Sequence, residues 1–326
     1  MIPLLSCVGI AAVTLASPFV GHAQQPAMPV IGFLDPASPD PALAERLRAF
    51  RQGLREFGFV EGENVAVEYR WAENNIDRMD AIAATFAQRR VAVIVAMGGS
   101  APAFAAKKAS GAIPVVFAAA QDPVRLGLVA NLARPGGNLT GFVLPPEATA
   151  RRLGLLRELI PSAKRITVLL DPANARDVAS TVRDVEAAAR PSGLQIKTVN
   201  ASSAREVDDA FAGFAGERPD ALFVGPFSPE RRVQLSLLAA VHKIPASYPW
   251  RDFVEAGGLM SYGPNLKDAY RQAGAYAGRI LKGAKPGDMP IMQTSKFELV
   301  LNAVTVRLLG LTVPVSVRSL ADETLE

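Results

Sequence analysis

From Val30 onward the chain alternates two kinds of segment, and it runs through the alternation twice. Val30-Ile31-Gly32-Phe33-Leu34 is a short apolar run of the kind that forms a strand covered on both faces. Behind it, Leu43, Leu47, Phe50, Leu54 and Phe57 recur at three- and four-residue spacing. They mark one stripe of a helix from Leu43 to Phe57, with Gly58 as its stop. Strand 65–69, helix 76–88, strand 91–96, helix 101–109 and strand 115–118 follow. Parallel neighbours need a long crossover, usually a helix, so this rhythm predicts a parallel sheet with helices packed on it.

The rhythm restarts after Pro145-Pro146. Helix 149–159, strand 166–170, helix 178–189, strand 194–199, helix 204–214, strand 221–224 and helix 229–241 form the second series. A weak repeat ties the halves together. The first strand of each ends in the same four residues, Leu34-Asp35-Pro36-Ala37 and Leu170-Asp171-Pro172-Ala173. Each half also has a later strand that runs into a Gly/Ser loop, Gly98-Gly99-Ser100 in one and Gly225-Pro226-Phe227-Ser228 in the other. With 326 residues there is room for two domains. The expected fold is therefore α/β: two doubly wound parallel-sheet lobes joined by a hinge. Crossings between them are expected near 141–145, 260–264 and 289–294, with a C-terminal helix 266–281 returning to the first lobe.

Doubly wound sheets bind ligands beyond the carboxyl ends of their strands, where loops meet helix N-termini. Two facing lobes would enclose a cleft lined by Asp35, Gly98, Gly99, Ser100, Asp171 and the loop carrying Phe227 and Ser228. The start of helix 101–109 offers free N–H groups and partial positive charge, a place for a ligand carboxylate. Asp35, Asp122 and Asp171 could pair with an ammonium. Plain structural roles are open to the same residues: Asp-Pro pairs make turns and Ser100 can cap its helix. Aromatic residues make up only 7% of the chain, so Tyr248, Trp250 and Tyr262 near the expected cleft stand out, as candidates for ligand contact or as core.

Other classes fit less well. The formal charge is only +4, and the Lys and Arg residues are dispersed; runs such as Arg151-Arg152 read as solvated helix faces. No basic face for nucleic acid emerges. Neither GxGxxG nor GxxxxGK[ST] occurs, so no nucleotide cofactor is expected. Arg134-Pro135-Gly136-Gly137-Asn138 is turn chemistry, and Asn138-Leu139-Thr140 matches a short sequon. Leu4 to Val20 is apolar and uncharged and ends in Gly21-His22-Ala23, the form of an export signal spanning 1–23, although no Lys or Arg precedes Arg46. Cleavage there would remove Cys7 and His22 and leave His242 alone. That excludes disulfides and Cys/His metal sites from the mature protein. His242 itself falls in the last turn of a helix, where it complements the dipole.

Several segments resemble one family in order along almost the whole mature chain. They are Phe50-Arg51-Gln52-Gly53-Leu54, Glu61-Gly62-Glu63-Asn64, Glu68-Tyr69-Arg70-Trp71-Ala72 and Asp122-Pro123-Val124. Leu132-Ala133-Arg134-Pro135-Gly136-Gly137-Asn138-Leu139-Thr140-Gly141, Ala256-Gly257-Gly258-Leu259-Met260-Ser261-Tyr262-Gly263, Lys282-Gly283-Ala284-Lys285-Pro286 and Lys296-Phe297-Glu298-Leu299-Val300 complete the set. The chain resembles the ABC transporter substrate-binding proteins of the tryptophan/tyrosine-receptor type, with a type I periplasmic-binding fold. It departs from them in 301–307, which lacks the lysines usual after the asparagine. The resemblance implies a non-enzymatic, monomeric periplasmic receptor that closes like a flytrap on a small molecule and delivers it to a membrane permease and ATPase. It implies no cofactor, no metal and no nucleic-acid partner. Its ligand loops would fall on 34–37, 98–100, 118–122 (Ala119 and Asp122), 171–174 (Asp171 and Asn174) and 225–228. The implied division is 24–143 with 264–291 for one lobe and 144–263 with 292–326 for the other. An amino acid, possibly aromatic, is the expected ligand, its carboxylate at Gly99-Ser100 and its side chain beside Phe227 or Tyr248. Competing readings are a sensory domain that presents solute to a signalling receptor, and a periplasmic hydrolase using paired carboxylates.

Overall fold

The computed structural model describes residues 28–73, 75–119, 121–143, 147–172, 175–225, 227 and 229–326. The expected export signal, with Cys7 and His22, lies outside them, as do Asn174 and Ser228. The first series is β1 (Val30–Asp35), α1 (Pro41–Arg55), β2 (Ala66–Trp71), α2 (Ile76–Gln88), β3 (Val93–Ala96), α3 (Ser100–Ser110), β4 (Val115–Ala119) and β5 (Leu139–Val143). The second is α4 (Glu147–Leu159), β6 (Arg165–Leu170), α5 (Ala175–Ala189), β7 (Gln195–Asn200), α6 (Ala204–Gly213), β8 (Ala221–Val224), α7 (Arg232–Val241), β9 (Ala246–Tyr248), α8 (Arg251–Glu255) and β10 (Met260–Pro264). The chain continues through α9 (Leu266–Leu281), β11 (Met292–Gln293), β12 (Phe297–Asn302), α10 (Ala303–Leu308), α11 (Val315–Leu320) and β13 (Glu323–Leu325).

These strands form two sheets, ordered β11-β5-β4-β3-β1-β2 and β13-β12-β10-β9-β8-β6-β7. Every pairing is parallel except that of β10 with β12. Helices cover both faces of each sheet. In β1, Ile31 and Phe33 enter the core under α1 and α9, while Leu34 enters the opposite core under α2 and α3. The second sheet likewise has one core under α4 and α5 and another under α6, α7 and α8.

Helix α9 lies on α1 at glycine contacts. A Cβ on Gly53 would stand 1.8 Å from the Arg271 carbonyl oxygen, and one on Gly274 would stand 2.0 Å from that of Phe50. The two backbones touch because neither residue has a side chain, which fixes the late helix onto the first sheet.

The crossings depart from expectation in detail. Met260–Pro264 is strand β10 of the second sheet, because its backbone pairs with both β9 and β12, and the chain leaves only after it. Met292-Gln293 add to the edge of β5 in the first sheet. The closing segment is a strand through Asn302, whose side chain caps α10 by accepting from the Thr305 N–H at 2.9 Å.

Candidate functional site

Both sheets share one strand-order reversal. In the first, the chain turns in opposite directions from β1 and β3; in the second it does so from β6 and β8. Loops that diverge in this way leave a crevice beyond the strand ends. The loops after β1, β3, β6 and β8 surround a cavity of about 470 Å³. At the β1–β3 point the loops pack very closely: Gly98 has φ +83, and a Cβ there would lie 2.4 Å from the Pro36 ring. Only glycine suits that backbone.

Asp35, Gly98, Gly99, Ala119, Asp122, Asp171 and Phe227 all line the cavity, together with Trp250 and Tyr262. Their chemical states differ. Asp35 is 2% exposed; it accepts the Ala37 N–H at 2.9 Å and the Tyr270 O–H at 2.5 Å. Burial pushes its carboxyl pKa up, against the pull of Tyr270, the Ala37 N–H and Arg46. Asp122 accepts the Val124 N–H at 2.9 Å, which closes a turn. Asp171 accepts the Ser202 O–H at 2.6 Å.

Two expectations need correction. Tyr248 is fully buried in the core of the second lobe, stacked on Phe253 at 5.0 Å, with its hydroxyl 3.4 Å from the Leu235 carbonyl oxygen it donates to. It faces the α7/α8 side of the sheet because that is where the strand alternation puts it, and it is not among the cavity-lining residues. Ser100 is also buried, and the position expected for a ligand carboxylate is taken. The Asp177 carboxylate, from the first turn of α5, accepts the Ser100 O–H at 3.1 Å and the Gln121 amide N–H at 2.8 Å.

Those contacts join the lobes, and others do the same. Ser38 donates to Glu230 at 2.7 Å, Arg232 pairs with Asp40 at 2.9 Å, and Arg46 on α1 forms a buried ion pair with Asp252 on α8. The lobes are closed on the cavity.

The sequence reading missed Arg46, Asp177, Tyr270 and, above all, Arg152. Arg152 is 4% exposed and lines the cavity; its guanidinium lies 3.7 Å over the Phe223 ring centroid. Nη1 finds no hydrogen-bond acceptor among the described residues. The Arg151-Arg152 pair is therefore not a solvated face throughout. Arg152 precedes Leu156 and Leu159 by four and seven residues, on the stripe of α4 that faces the core. That spacing was the available signal. Tyr270 and Asp177 carried none, since their partners lie far away in the chain.

Among the described residues no helix is long and apolar enough to cross a membrane. The protein-family model described as "ABC transporter substrate binding protein" matches residues 34–325. A curated relative, the tyrosine-binding protein of Clostridioides difficile (strain R20291), is 27% identical over 279 residues, 83% of this chain and 78% of the relative. Among solved structures, the ABC domain from Streptococcus pneumonia in complex with L-Trp superposes with a TM-score of 0.81 at 26% identity, covering 91% of this chain and 99% of that one. The ligand-free, open structure of a substrate-binding protein with adhesive properties from Clostridium difficile has the same identity and covers 91% and 100%, but its TM-score is 0.66. The higher score against the ligand-bound structure agrees with the cross-lobe contacts. Two LacI-type proteins, from Corynebacterium glutamicum and Alkaliphilus metalliredigens, share the fold at 15% and 11% identity. Two lobes with matched switch points, a cavity between them and a family match over nearly the whole described chain lead to one conclusion: this protein belongs to the ABC transporter substrate-binding protein family.

Proposed function

We propose that the protein is the extracytoplasmic receptor of an ABC importer, that it binds an amino acid between its lobes, and that it performs no chemistry on it. The observation that carries this reading is the cavity itself. It is closed by both lobes, combines the aromatic side chains of Phe227, Trp250 and Tyr262 with carboxylates, and has the volume of a small-molecule site. An aromatic amino acid is the leading candidate. The relatives named for tyrosine and found with tryptophan support it, as do the aromatic walls. In this reading the lobes divide at 143/144, 264/265 and 293/294. The protein is a periplasmic monomer after cleavage near Ala23, and its partners are a permease and an ATPase.

Isothermal titration calorimetry and thermal unfolding of the mature protein with tryptophan, tyrosine, phenylalanine and leucine test the ligand. A cognate amino acid at a hundred times its Kd stabilises by about 2.7 kcal/mol. If no amino acid moves the melting temperature while a sugar or nucleoside does, the amino-acid reading is wrong and the receptor reading stands.

A further inference from the structure

Two places in the cavity are suited to a negative group, and they are in opposite states. At the start of α3, the Asp177 carboxylate already accepts from Ser100 and Gln121. Across the cavity, on the second-lobe wall, Arg152 presents a guanidinium that no described group neutralises.

Arg46, the other buried arginine of the lining, is paired with Asp252. Arg125 and Arg183 are exposed to solvent and need no partner from the protein. Arg152 differs from all three. It is buried, one face is covered by Phe223, and Nη1 has no acceptor among the described residues. Asp171, Asp177 and Asp184 line the same cavity, yet burial alone acts on Arg152 and pulls its pKa down to about 9. Ser247 is paired in register with Phe223, and its hydroxyl is a second buried group on that face without a partner among the described residues. A buried, hydrogen-bond-deficient cation is costly unless an anion meets it, and guanidinium geometry suits a carboxylate.

We propose that Arg152 is the anion-recognising subsite of this cavity, and that the transported solute carries a carboxylate which pairs with its guanidinium on the second-lobe wall. The proposal rests on the reading of the cavity as the solute site and reverses the orientation expected from the sequence. The carboxylate points toward α4, and a ligand ammonium points toward the aspartates. Arg152 then has two functions: it selects acids over their neutral analogues, and it makes the empty cavity unfavourable until the solute arrives.

The test uses matched ligands that lack either the carboxylate or the ammonium. Wild type, Arg152→Met and Arg152→Lys are titrated by calorimetry with L-tryptophan, L-tryptophanamide and indole-3-propionate, and with the equivalent tyrosine and phenylalanine sets. Wild type should prefer acid over amide by roughly tenfold to a hundredfold, the range of a charge-assisted hydrogen bond. Arg152→Met should abolish that preference, and Arg152→Lys should keep part of it. Without solute, Arg152→Met should melt no lower than wild type, because it removes an uncompensated charge, whereas a structural arginine would give a clear drop. An unchanged acid-to-amide ratio in Arg152→Met overturns the proposal, as does a wild type indifferent to the carboxylate. If no amino acid binds, the amino-acid reading fails on its own. The thermal shifts of benzoate and phenylacetate against their amides then decide the Arg152 assignment: stabilisation by the acids in wild type only supports it, and none in either protein sinks it. Should Arg152→Met fail to fold, the acid-to-amide ratio of Arg152→Lys decides in the same way.

Discussion

Leu34-Asp35-Pro36-Ala37 and Leu170-Asp171-Pro172-Ala173 are identical in sequence and occupy equivalent strand ends, yet their aspartates live in different surroundings. Asp35 is sealed: Tyr270 and the Ala37 N–H hold both of its oxygens, and Arg46, itself paired with Asp252, lies close enough to act on it. Asp171 is only half-buried and takes the hydroxyl of Ser202 from its own lobe. The difference comes from α9, which returns from the far end of the chain and lays Tyr270 over the first site. The repeated motif therefore sets a position in the fold, and the element packed above it sets the chemistry.

The sealed half should be the more costly to disturb. Asp252→Ala leaves Arg46 buried without its main partner and should destabilise the protein by about 3–5 kcal/mol in urea unfolding. A loss no greater than that of an exposed ion pair would show that water replaces the carboxylate. Tyr270→Phe removes a donor from a buried carboxylate and should cost about 2 kcal/mol at neutral pH. The sign of its pH dependence follows from the bond: Tyr270 favours ionised Asp35. The cost should shrink as pH falls through the raised folded pKa of Asp35, because a protonated carboxyl is the weaker acceptor. A pH-independent cost, measured by repeating the unfolding from pH 7 down to pH 4, would place the defect elsewhere. Asp171→Ala should cost less than about 1 kcal/mol, since the half-buried serine it leaves behind can turn to water. If it matches Tyr270→Phe, the two motif copies are energetically equivalent and the comparison collapses.

Much of the architecture was legible because burial leaves a periodic trace. The runs at β1, β3, β4, β6 and β8 and the stripe of α1 lie where their apolar spacing puts them. The short strands β9 and β10 leave no such trace. Three buried residues in Ala246–Tyr248 give too little alternation to distinguish a strand from the end of a loop, and the Gly and Pro of Met260–Pro264 resemble a hinge. Tyr248 shows the cost of that gap. Without the strand there is no way to know which face it takes, and it takes the one away from the cavity.

The sequence by itself determined that two α/β lobes form and that their loops meet at the carboxyl ends of the strands, because hydrophobic period and chain connectivity are local properties written in order. Only the tertiary structure decided which charges are neutralised. Asp35 with Tyr270, Arg46 with Asp252 and Asp177 with Ser100 are pairs distant in the chain, and Arg152 is conspicuous only once every carboxylate near the cavity has been placed. Electrostatic partners are chosen by distance in space, which no residue spacing along the chain records.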